Sequence, residues 1–123
     1  MKGPVNGARG ETEIVLAGRR YALRPTFGAL AAIESGTGKS LLDLAREAAA
    51  GLLRVSDMAW IVWACAEAVD GQTVPDREAI GEAIVAEGIV AMAAPIGALL
   101  TAALTGSAAK KKAPGRSSPE SPT

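Results

Sequence analysis

The sequence predicts an α+β domain that is mostly α, with an N-terminal β-hairpin followed by a compact bundle of about five helices. Three observations carry that expectation. Apolar residues two apart on either side of Ala17-Gly18 mark two short strands with one buried face. Further along, apolar residues recur at steps of three and four, the period of a helix face. Between those stretches stand Gly, Pro, Ser, Thr and Asp, where helices start and stop.

The hairpin is read from "ETEIVLAGRRYALRP", with strands over 11–16 and 19–24. Ile14 and Leu16 face one way, as do Tyr21 and Leu23, and Pro25 ends the second strand. The first helix is "TFGALAAIESG": Thr26 is its N-cap, Phe27, Leu30 and Ile33 share one side, and Gly36 takes the left-handed C-terminal position. The second, "SLLDLAREAAAG", opens on the capping pair Ser40 and Asp43 and stops at Gly51, with Leu41, Leu44, Ala45 and Ala48 as its stripe. The third, "VSDMAWIVWACAEAVDG", takes Ser56 as its N-cap, and Val55 staples onto Trp60. It carries no charge on any face from Met58 to Ala66, which predicts a central helix. The fourth, "VPDREAIGEAIVAEG", has Pro75 in its first turn, Ile80, Ala83 and Ile84 inward, and Arg77, Glu78 and Glu82 outward. The fifth, "IVAMAAPIGALLTAALTG", kinks at Pro95 and turns Ile89, Met92, Ile96, Leu99 and Ala103 inward.

At 123 residues the chain holds one modest domain. Its organisation reads as a flexible N-terminus over 1–10, the folded domain over 11–106, and a disordered Ser/Pro/Lys tail over 107–123. Ala supplies 26 residues and only four are aromatic, so the core depends on close helix contact. Formal charge is zero, split between an acidic body and a basic end that holds 110–112 and Arg116. An acidic body argues against nucleic-acid binding, and the basic end reads as solubilising. One cysteine and no histidine remove a disulfide, the usual metal ligand and the usual general base. With no secretory leader in "MKGPVNGARG", the expected location is cytoplasmic, and no enzyme activity, cofactor or metal is expected.

Several stretches invite a sharper reading. "TGKS" over 37–40 resembles the end of a phosphate-binding loop, but Ile33 stands where the first Gly is needed, and a helix precedes it where a strand belongs. The better reading is a helix–helix turn, in which Gly36 and Gly38 bend the chain, Ser40 caps the next helix and Lys39 is a surface charge with no task. Residues 88–109 carry no charge and are long enough for a tail-anchored membrane helix, yet Ala, Gly and Pro dominate them and argue against insertion. Trp60 and Trp63, with Cys65 nearby, read as core packing before a ligand wall. Asp43, Glu47, Asp57, Glu67 and Asp70 read as caps and solvated surface.

Taken in order, the hairpin, "LRPTFGALAAIE" and the helix opening "SLLDLA" resemble the tail assembly chaperone family of gene transfer agents and siphophage-like prophages. "IVWACAEA" and "LLTAALTG" are similar too. The resemblance covers about 11–106. It implies a non-enzymatic protein that binds the tape-measure protein and assists assembly of the tail tube, with the tail-tube protein as a further partner. The alternatives are a structural tail component retained in the particle and a small membrane protein anchored through 88–109. The residues singled out as core or partner contact are Tyr21, Leu23, Phe27, Leu30, Trp60 and Trp63. The hairpin edge offers a route to self-association, because two strands alone are marginal.

Overall fold

The computed structural model describes residues 11–106; the segments 1–10 and 107–123, read above as flexible and disordered, lie outside the described residues. In chain order the elements are β1 (Thr12–Leu16), β2 (Arg19–Leu23), α1 (Phe27–Thr37), α2 (Leu41–Ala50), α3 (Val55–Glu67), α4 (Arg77–Glu87) and α5 (Ile89–Thr105). This is the mostly helical α+β arrangement expected, a hairpin followed by five helices.

β1 and β2 pair antiparallel with Ile14 opposite Tyr21 and Leu16 opposite Arg19. Ala17 and Gly18 both take positive φ, 52° and 76°. Two left-handed residues make the tight turn whose twist matches that of paired strands. The period-2 alternation then puts Ile14, Leu16, Tyr21 and Leu23 on one buried face. That face lies on α3 and α4, so the helices supply the support a lone hairpin lacks.

Helix starts follow local chemistry where a short polar side chain is placed to cap. Thr26 Oγ1 accepts from the Ala29 N–H, Ser40 Oγ from Asp43, and Asp76 Oδ1 from Ala79. Two expected starts are corrected. α3 begins at Val55 after Arg54, so Ser56 already lies in the helix and caps nothing. The buried Leu53 anchors the chain there, and Asp57 supplies the acid of the first turn. α4 begins at Arg77 with Asp76 as cap, which leaves Pro75 just outside the helix.

α3 is the central helix: it meets α1, α4, α5 and β2. It buries Met58, Ile61, Val62, Ala64, Cys65 and Ala66. Two inward assignments elsewhere are corrected. Phe27 is 88% exposed, and α1 buries Ala29 and Ile33. At about 100° per residue, Phe27 lies about 120° around the helix from Ile33, beyond the buried stripe. Ile89 is also exposed. It follows directly on Gly88, whose φ of 111° marks the 119° bend between α4 and α5, and burial on α5 starts one turn later at Met92.

α5 continues through Pro95 as one helix and packs on α2, α3 and α4 through Met92, Ile96, Leu99 and Leu100. Gly97 lets it approach α2 closely, since a Cβ there would stand 3.4 Å from Ala48 Cβ. Among the described residues no single helix is long and apolar enough to cross a membrane. The 88–109 stretch, weighed above as an alternative membrane anchor, begins at the Gly88 bend, and the apolar stripe of α5 is spent on the core.

Candidate interaction surface around Trp60 and Trp63

Trp60 and Trp63 stand three apart on α3, so their rings emerge side by side. They meet edge to face, with centroids 5.6 Å apart and planes at 84°. Neither is fully buried, which corrects the reading of both as core: Trp63 leans on the core from outside it, and Trp60 lines a surface groove.

Arg77 is exposed, as expected, and covers this pair. Its guanidinium lies 4.0 Å from the Trp60 ring centroid and 5.8 Å from that of Trp63. The arrangement is a cation–π stack built by the first residue of α4. Gly36 on α1 is shaped by the same ring, because a Cβ there would fall 2.3 Å from the indole of Trp60. Gly36 does not end α1, which runs on to Thr37. The left-handed position falls to Gly38, φ 72°, two residues later.

The groove beside Trp60 runs between α3 and α4 and holds about 400 Å³. Val55, Ala59, Trp60 and Val85 give it an apolar floor, and Glu78 and Glu82 stand on its α4 wall. A second, shallower concavity of about 320 Å³ lies between α1 and α3 beside Trp63. Thr26 and Gly28 line it, and the exposed Phe27 stands between them in the chain. Of the residues singled out from sequence, Trp60 and Trp63 therefore belong to this surface, while Phe27 is exposed without lining either concavity. Leu30 is half-buried against the core, and Tyr21 and Leu23 are buried inside it. Arg77 carried no sequence signal, since its partners lie far from it along the chain.

The "TGKS" turn is a scaffold. Lys39 Nζ donates to Asp57 Oδ2 at 2.8 Å and to Glu47 Oε1 at 3.0 Å, so one ammonium ties the α1–α2 turn to α2 and α3. Lys39 is thus no idle surface charge, and Asp57 is buried rather than solvated. The hydrogen bond to Asp57, then that to Glu47, raises the Lys39 pKa above its ordinary value. Three of the amides a phosphate would use are already taken: Lys39 N–H donates to Thr37 Oγ1, Leu41 N–H to Glu34 Oε2 and Asp43 N–H to Ser40 Oγ. Cys65 is sealed in the core, where loss of solvation pushes its pKa up to about 12, so its thiol stays protonated.

A family model described as "Phage tail tube protein, GTA-gp10" matches residues 9–106 of this chain. No curated protein and no solved structure gives a match.

Proposed function

The chain belongs to the phage tail tube protein, GTA-gp10 family, and from that premise we propose that it is a non-enzymatic structural component of the tail of a gene transfer agent or phage-like particle. The observation that carries this reading is the reach of the family match, which takes in the whole described domain, from before β1 to the end of α5. The Trp60–Arg77 groove supports it as the contact with another tail protein. Trp and Arg are the residue types that most often dominate binding energy when held in a pocket. Here each fixes the other by stacking, so little ordering remains to be lost on binding. In this reading the protein is made in the cytoplasm and joins the tail there.

Mass spectrometry of purified particles tests the proposal. A structural component is recovered in constant ratio to the other tail proteins, and its absence from intact particles overturns the reading.

A second reading is that of an assembly chaperone that covers the tape-measure protein and leaves before the particle is complete. The open apolar floor of the α3–α4 groove favours it, because a groove of that kind suits the apolar face of a helix. Under this reading the protein is missing from particles yet co-purifies with, and solubilises, the tape-measure protein during co-expression. Trp60→Ala with Arg77→Ala removes that rescue.

A further inference from the structure

The two edges of the hairpin are not alike. On β2, Ala22 is engaged on its outer side by a side chain acting as a neighbouring strand. Its N–H donates to Gln72 Oε1 at 2.8 Å, and Gln72 Nε2 donates back to the Ala22 carbonyl at 2.9 Å. Two residues further on, the Arg24 N–H donates to the Cys65 carbonyl. The β2 edge is thus closed at Ala22 and Arg24, the end next to α3.

The same contact fixes the phase of the ladder. Because Ala22 turns both main-chain groups outward, it and its partner Glu13 form a non-hydrogen-bonded pair. Two residues on, Val15 opposite Arg20 is again such a pair. Glu13 and Val15 therefore present their N–H and C=O groups on the outer side of β1, where no described residue pairs with them. The opening ends at Ala17, whose N–H donates to Glu87 Oε1.

From this asymmetry we infer that β1 is a homodimerisation edge, which pairs antiparallel with β1 of a second copy to make one four-stranded sheet. Head-to-tail growth, β1 of one copy on β2 of the next, is blocked by Gln72, so the contact closes on itself about a two-fold axis. The charges select the register. An axis through Glu13 sets two carboxylates face to face, which is unfavourable. An axis through Val15 sets Glu13 against Ala17, which Glu87 already holds. An axis through Ile14 avoids both: Glu13 lies opposite Val15 of the second copy, and Val15 opposite its Glu13. Two hydrogen-bonded pairs form, each exchanging two main-chain bonds. On the outer face each row across the four strands then holds one Arg20 and one Glu13. No like charges share a row, and each Glu13 keeps the Arg20 of its own copy 3.8 Å away. The inference does not depend on the proposed tail role.

Sedimentation equilibrium of the full chain over a wide concentration range tests it, together with hydrogen exchange at the Glu13 and Val15 amides. The wild type is expected to double in mass as concentration rises, with both amides gaining protection in step. Val15→Pro deletes an outward N–H that the hairpin itself does not use, and Val15→Lys places a charge on the edge. Each should weaken association by at least about tenfold, or about 1.4 kcal/mol, while circular dichroism is unchanged. A monomer at every concentration overturns the proposal, whether its edge amides are open or are already covered by residues 1–10. So does a dimer that survives both variants.

Discussion

Gly36 and Lys39 show how far a residue's role can sit from its neighbours in the chain. Gly36 reads as a helix stop, because glycine commonly takes that place. Its real constraint is the Trp60 indole on a different helix, 2.3 Å from where a Cβ would be. Gly36→Ala should therefore destabilise the fold by about 1–3 kcal/mol, an overpacking cost that outweighs the gain in helix propensity. Denaturant unfolding measures the loss, and a shift in tryptophan emission accompanies it as the ring leaves its stack with Arg77. Lys39 reads as idle because its partner Asp57 lies eighteen residues on. Replacing it with Met leaves the buried Asp57 carboxylate facing no cation. Lys39→Met should lower the thermal midpoint by several degrees, and Asp57→Asn in the same chain should recover part of it. A Lys39→Met variant as stable as wild type would show the ion pair to be incidental.

At the level of elements, what the sequence makes legible is what is encoded locally. The hairpin face, the Thr26 and Ser40 caps, the Gly51 stop and the apolar girdle of α3 each depend on residues within a turn or two of one another. The corrected readings share the opposite property. Phe27, Ile89 and both tryptophans carry the right spacing, but whether a stripe is covered depends on where another helix crosses it. Gln72 gave no signal at all, although it joins the loop after α3 to β2 and also donates to the Ala66 carbonyl. Gln72→Leu keeps the bulk and removes all three bonds. The stranded Ala22 groups should then cost about 1–3 kcal/mol, and the Ala22 amide should exchange much faster than in the wild type. Unchanged exchange at Ala22 would mean that the strand edge is held by something other than this side chain.

Across the whole molecule, the core is small in aromatic content and depends on α3 being dry, and alkaline pH reads that dryness out. Cys65 is raised by burial from 9.0 to about 12. Between those values the folded state holds a proton that the unfolded state releases. Unfolding then gains on folding as pH climbs, by about 1.4 kcal/mol for each pH unit once titration is under way. Lys39, raised by its hydrogen bonds to Asp57 and Glu47, contributes fully below 10.5, and its share is lost as pH rises through its folded value. The two groups are thus separated in onset, the thiol first and the ammonium later. Urea unfolding from pH 8 upward should show stability falling from about pH 9, before Lys39 begins to matter. Cys65→Val substitutes a side chain of similar volume that carries no proton, so the variant's curve should stay flat through that first interval and fall only at the higher onset. In parallel, the native wild-type thiol should resist a disulfide reagent at pH 8 and react as soon as urea exposes it. Ready reaction in the native state, or the same early fall in Cys65→Val, would mean that α3 opens to water far more easily than its packing implies.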